Sequence, residues 1–166
     1  MWRVQKIWDN FQSMAEKFDD FDLKILRSLQ MDAARSMDSL ADIVGLSRNA
    51  CWRRVRQLEE SGVVKQRVAV LDAAQLDLGL MVFVHLRAKE HTAGWLEQFR
   101  NTVSLMPEIR SAFRMSGELD YLLQVQVANV AGYDRFYQRL IARIPASDIS
   151  ASFVMEEIKN TTALPI

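Results

Sequence analysis

Apolar residues recur at three- and four-residue spacing from Asp20 to Gly62, while beyond Leu80 they fall at alternate positions, interrupted by two further helical stretches. A pattern with the helix period does not lie in a sheet, nor the reverse. The 166 residues must therefore divide into an all-helical part and a part that mixes strands with helices.

In the first part, Phe21, Ile25, Leu26 and Leu29 form one helical stripe. A second helix begins at Ser36, a good N-cap, and carries Met37, Leu40, Ala41 and Val44. Gly45 breaks it and Leu46 fills the corner. Ser47 opens a third helix, in which Cys51, Val55 and Leu58 sit at i, i+4 and i+7 and must face the other two, and Gly62 stops it. Two helices joined by a tight glycine turn behind a supporting helix make a helix-turn-helix. The following "VVKQRVAV" reads as a two-stranded wing or an extended strand, and "LDAAQLDLG" as a linker.

In the second part, "LMVFVHLRA", "EIRSAFRM", "DYLLQVQVA" and "DISASFVMEEI" read as strands. Trp95, Leu96, Phe99, Val103 and Met106 make one helix stripe, stopped by Pro107. Tyr133, Phe136, Tyr137, Leu140, Ile141 and Ile144 make another, stopped near Pro145. The order β-α-β-β-α-β predicts a ferredoxin-like antiparallel sheet with two helices on one face. The fold class is thus α+β: an N-terminal winged helix-turn-helix and a C-terminal ferredoxin-like βαββαβ domain. The expected boundaries are 19–70 for the DNA-binding domain, 71–79 for the linker and 80–166 for the second domain. Both sides of the first strand are substantially apolar, so the uncovered face is expected to meet a second copy of the chain. Ahead of all this, Val4, Ile7, Trp8, Phe11, Met14, Ala15 and Phe18 predict an extra amphipathic helix over 1–18 that packs on the body or on a partner chain, Met14 being a possible natural start.

Lys and Arg number 21 and so do Asp and Glu, so any attraction for nucleic acid must come from a local patch. The third helix supplies one. With Cys51, Val55 and Leu58 turned inward, Arg48, Asn49, Trp52, Arg53 and Arg56 project outward, mostly near the N-terminal end, and Arg54 flanks them. That end of a helix-turn-helix enters the major groove. Arginine's planar fork matches a phosphate or a guanine edge, Asn49 suits adenine, and Trp52 suits sugar or a thymine methyl. Ser47, at the helix start, belongs to the same expected DNA-binding set, and Lys65 and Arg67 would hold the flanking backbone. Ser47 to Arg67 contains six basic residues against Glu59 and Glu60, an excess of four, with the balancing acids expected elsewhere. A run of charge is by itself usually a solvated face. Here the helix-glycine-helix context and an exposed tryptophan favour double-stranded DNA. One helix touches too few base pairs to select a site, so a dimer reading two half-sites is expected.

Cys51, the one cysteine, reads as core and fits a reducing compartment. His85 and His91 lack partners at metal-ligand spacing, and nothing resembles a nucleophile triad or a phosphate loop. No metal, no cofactor, no catalytic residues and no membrane span are expected. The acid pairs Asp19-Asp20, Glu59-Glu60 and Glu156-Glu157 read as surface charge or caps.

Three segments, "FDLKILRSLQMDAARSMDSLADIVGLSRNACWRRVRQLEESGVV", "SGELDYLLQVQV" and "SFVMEEIKNTT", together resemble the Lrp/AsnC family of regulators, from about Phe18 to the C-terminus. The resemblance implies a cytoplasmic, typically autoregulatory transcription factor that is not an enzyme. It implies a homodimer built through the ferredoxin-like domain, often assembled further into octamers, and tuned by a small amino acid. It also implies an effector site. Gly117, Glu118 and Asp120 match the family's Gly-Asp/Glu-x-Asp turn, with Ser116 beside them. Glu118 or Asp120 would accept from an ammonium group and the glycine turn would offer amides to a carboxylate. Phe153, Val154 and Met155 would line the side-chain part. The family's third helix often opens Ser-Pro-Thr-Pro-Cys. Here Ser47-Arg48-Asn49-Ala50-Cys51 lacks both prolines, so no target sequence carries over. The end of the chain looks most like members that govern breakdown of sulfur-containing amino acids. The competing expectation is a ferredoxin-like small-molecule-binding or catalytic module without specific DNA binding. RNA binding ranks below both, because the second part lacks an aromatic and basic ladder for stacking bases.

Overall fold

The structure is a computed structural model that describes residues 17–166. The helix expected over 1–18, with Met14, lies outside the described residues except for Lys17 and Phe18. The described residues form two compact units. One comprises the described residues up to Ala69 together with Lys159–Ile166, and the other is Val70–Ile158.

The first unit holds three helices, α1 (Asp20–Met31), α2 (Met37–Val44) and α3 (Arg48–Glu60). Each starts where a side chain satisfies the free amides of the first turn. Asp19 and Asp22 form a reciprocal capping box on α1. Ser36 caps α2 through the Ser39 amide, and Ser47 caps α3 through the Ala50 amide. Gly45 ends α2 in the left-handed region at φ 76°, where a side chain would be strained. Ile25, Leu26, Leu40, Ala41, Val44, Cys51, Val55 and Leu58 close the core. Phe21, expected in the α1 stripe, stays at the rim, where Lys24 and Arg54 lie over its ring.

Two features depart from the sequence reading. Lys65 to Val70 belongs to no strand among the described residues, and Val68 and Val70 are exposed. The "VVKQRVAV" segment lacks a paired row because no strand among the described residues of this unit accepts its hydrogen bonds. The last eight residues, assigned by the sequence to the second domain, pack on the helical unit instead. Arg27 Nε donates to the Ile166 carbonyl at 2.8 Å, Gln30 Nε2 donates to the Leu164 carbonyl at 3.3 Å, and Ile166 packs against the helical core.

The second unit contains β1 (Leu80–Ala88), α4 (Ala93–Leu105), β2 (Ile109–Arg114), β3 (Tyr121–Val127), α5 (Val130–Ile141) and β4 (Ala146–Phe153). The sheet order is β2-β3-β1-β4 with every pair antiparallel. Val82, Val84 and Leu86 on β1 and Tyr121, Leu123, Val125 and Val127 on β3 are buried together with the inward stripes of α4 and α5. Trp95, Phe99 and Tyr121 form an aromatic cluster with centroids 4.3–5.3 Å apart, and Trp95 Nε1 donates to the Pro145 carbonyl at 2.7 Å. On the opposite face Met81, Phe83, His85, Leu122 and Gln124 are half-buried and Phe113 is exposed. Element ends differ from those expected, most of all at α5 and β4. Helix α5 ends at Ile141, although Ile144 remains buried in the turn that follows. Strand β4 starts at Ala146 and ends at Phe153, and one residue further on the Val154 amide donates to the Met81 carbonyl at 3.0 Å.

A Cβ at Gly45 would meet nothing within 4 Å, so the cost of a side chain there is conformational alone. Gly45→Ala is expected to lower stability by about 1 kcal/mol, read as a lower urea midpoint of the helical unit with an unchanged slope. Gly79→Ala, at a position equally open but outside the left-handed region, should leave that midpoint where it is.

Candidate nucleic-acid interface

Helix α3 is pinned by Cys51, Val55 and Leu58, each at most 4% exposed. The opposite side therefore faces water, and Arg48, Asn49, Trp52, Arg53 and Arg56 are all exposed on it. Trp52 keeps 54% of its surface exposed, with the Arg56 guanidinium 5.7 Å from its ring centre. Ser47 is spent on capping: its hydroxyl accepts from the Ala50 amide at 3.3 Å. Lys65 and Arg67 follow on exposed backbone.

Arg54 behaves differently from its neighbours. It turns toward α1, where it lies 2.8 Å from both Asp19 and Asp22 and over the Phe21 ring. It joins α3 to the start of α1 rather than flanking the outward surface. The Asp22 amide, and then Arg54, hold the Asp19 carboxyl below its ordinary value against an opposing effect of burial. The same two acids hold the Arg54 guanidinium more firmly protonated. Burial pushes the Cys51 thiol up, which keeps it protonated beneath the helix.

The balancing acids are closer than the sequence suggested. Arg48 meets Asp38 at 3.4 Å, Arg56 meets Glu60 at 3.5 Å, and Arg67 meets Glu59 at 2.8 Å. Arg53 and Lys65 have no ion-pair partner among the described residues. The Arg56–Glu60 spacing of four was a readable signal. Asp38 was not, since it depends on how α2 packs beside α3.

The second candidate region is the turn between β2 and β3. The Met115 amide closes it on the Asp120 carbonyl at 2.8 Å, and Gly117 takes φ 129°. Asp120 Oδ2 accepts from the Ala88 amide at 2.8 Å, and Oδ1 faces His91 Nε2 at 3.7 Å. Arg87 donates twice to the Glu118 carbonyl, at 3.1 and 2.8 Å. Sequence reasoning missed Arg87 and His91, because only the end of β1 brings them to this turn. Phe153, Val154 and Met155 are elsewhere. Phe153 pairs with Val82, whereas Tyr121, next to Asp120, pairs with Leu86. Four residues along β1 separate the two ends by about 13 Å. Phe153 packs edge-on against Tyr133, and Met155 is 95% exposed. One chain thus does not bring the seven expected effector residues together. An open groove beside α5, lined by Tyr137, Ile141, Pro145 and Asp148 among others, includes none of them.

Among the described residues no group of three or more His, Cys, Asp or Glu is placed to hold a metal ion. No described helix is long and apolar enough to cross a membrane.

Residues 81–164 match the family model of the Lrp/AsnC ligand binding domain, and residues 18–65 match that of a winged helix-turn-helix DNA-binding domain. The glutamate uptake regulatory protein of Zymomonas mobilis is 48% identical, over 92% of this chain and 93% of its own length. The DNA-binding transcriptional activator DecR of Escherichia coli is 44% identical, over 89% of this chain and 98% of its own. The crystal structure of an AsnC family transcriptional regulator from Agrobacterium tumefaciens superposes with a TM-score of 0.87 at 47% identity, covering 89% of this chain and 97% of that one. A Neisseria meningitidis transcriptional regulator, solved as its L-Met complex, superposes with a TM-score of 0.86 at 36% identity, covering 89% and 96%.

A group whose folded pKa is depressed adds stability above its unfolded value, and that stability is lost as pH falls through the folded value. Asp19 is such a group, with an ordinary value of 3.8. Asp19→Asn keeps a capping side chain but gives up the Arg54 charge pair. The gap in urea midpoint between wild type and Asp19→Asn should be present at pH 7 and close below about pH 4.

Proposed function

This chain belongs to the Lrp/AsnC family of transcriptional regulators, and from that premise we propose how its residues divide the work. Residues 19–70 form the reading head, 71–79 the linker, and 80–166 the effector-binding and oligomerising domain, with the last eight residues returned to the head. The protein acts in the cytoplasm, by binding rather than by catalysis. Two heads of a dimer address half-sites of a double-stranded operator, and dimers assemble further, an octamer being the expected form.

The observation that carries this reading is the outward face of α3. Cys51, Val55 and Leu58 bury one side, so Arg48, Asn49, Trp52, Arg53 and Arg56 are presented together on the other. Arg53 and Arg56 reach phosphate or base edges, Asn49 and Trp52 read adjacent bases, and Lys65 and Arg67 hold the flanking backbone. Ser47 serves by fixing where the helix begins.

The second domain senses a small amino acid. Support comes from the ligand-binding family model over 81–164 and from the L-Met complex of the Neisseria relative. The Ser116–Asp120 turn offers the Gly117 amide to a carboxylate and Glu118 or Asp120 to an ammonium group. Since Phe153–Met155 lies about 13 Å along β1 from that turn, a pocket using both draws them from different copies of the chain. Assembly and effector binding are then one equilibrium.

Arg53→Ala should weaken DNA binding by about tenfold with no loss of thermal stability, measured by fluorescence anisotropy at fixed salt. Unchanged affinity would overturn the docking of α3. L-Met at millimolar concentration should raise the melting temperature, and Asp120→Asn should abolish that rise. A screen of the twenty amino acids that shifts nothing would remove the effector assignment.

A further inference from the structure

Three ion pairs on the outward surface couple three of its four arginines to carboxylates, leaving Arg53 out. Arg48 is held by Asp38 of α2, Arg56 by Glu60 one turn along α3, and Arg67 by Glu59. The acids come from two different elements and meet three different arginines. They leave Arg53 and Lys65 as the cations without an ion-pair partner among the described residues. The surface thus carries five cations and three carboxylates, a net charge far below what its arginines suggest.

We propose that Asp38, Glu59 and Glu60 are specificity-determining residues of the reading head, acting as internal competitors for the arginines that DNA must capture. The inference rests on the docking of α3 set out above. Its physical basis is a difference in strength. An exposed ion pair shifts an equilibrium by less than about fivefold. A bidentate arginine contact to guanine discriminates between bases by about five- to a hundredfold. A matching base edge therefore takes an arginine from its carboxylate easily. A mismatched duplex offers only phosphates, and near them the carboxylates stay in place and repel. The acids cost the matching site little and the mismatched site more, so they widen the ratio between them. They also lower the number of counterions released by loose binding, since an arginine already neutralised by Glu60 or Asp38 releases fewer from the duplex.

The test uses the full chain and two duplexes: one selected by the wild-type protein from a random pool, and a scrambled duplex of the same composition. Affinity is measured by anisotropy between about 50 and 300 mM salt for wild type, Asp38→Asn, Glu59→Gln, Glu60→Gln and Arg53→Ala. The acid-to-amide variants should bind the scrambled duplex about threefold to fivefold tighter and the selected duplex within about twofold of wild type. Their log–log salt slope on the scrambled duplex should steepen by about 0.9 per freed arginine. Glu60 lies at the C-terminal end of α3, where a negative charge opposes the helix dipole, so Glu60→Gln does not put folding at risk. Unchanged slopes, or equal tightening on both duplexes, would overturn the proposal. Arg53→Ala separates the two levels. Lost affinity for both duplexes upholds the docking of α3 whatever the acids do, and retained affinity overturns docking and proposal together.

Discussion

Three side chains on one stripe of α3 decide where every arginine of that helix points. Cys51, Val55 and Leu58 are sealed against α1 and α2, and a helix has one orientation left once a stripe that narrow is committed. The exposure of Trp52, the turn of Arg54 toward α1 and the reach of Arg48 to Asp38 all follow from that burial. Close packing makes the constraint stiff, since rotating α3 by even a few tens of degrees would open the core it completes. Selectivity for a base sequence needs this stiffness, because a loosely held helix would spread its contacts over several registers.

The second unit solves a different problem with the same economy. Alternation on β1 and β3 puts valine, leucine and tyrosine beneath α4 and α5, while methionine, phenylalanine, histidine and glutamine line the other face. The β2–β3 turn sits at one end of β1 and the Phe153 end of β4 at the other. A sheet of this length keeps the β2–β3 turn and Phe153 about 13 Å apart within one chain.

Much of this was legible in the residues. Strand β1 was placed at Leu80–Ala88 with its bounds intact, and the caps at Ser36 and Ser47 and the break at Gly45 fell where expected, because each depends on near neighbours. The misses were long-range. From the sequence Arg54 flanks the outward surface, because its acids, Asp19 and Asp22, lie more than thirty residues away. The charge balance of α3 was misread for the same reason, Asp38 being supplied by another helix. The effector candidates rest on resemblance, and only strand register shows that Phe153 and Asp120 stand at opposite ends of β1. The segment after Gly62 has strand composition without a strand, since composition does not supply a pairing partner.

The return of the last residues to the first unit changes what a domain boundary means in this molecule. Ile166 fills part of the helical core's flank, and Gln30 and Arg27 grip the backbone of the final turn of chain. A fragment cut at Ala69 would leave that flank of α1 bare and two side chains without their carbonyls. Conversely, after a protease nick in the linker the C-terminal piece would still carry the peptide that packs on the N-terminal one.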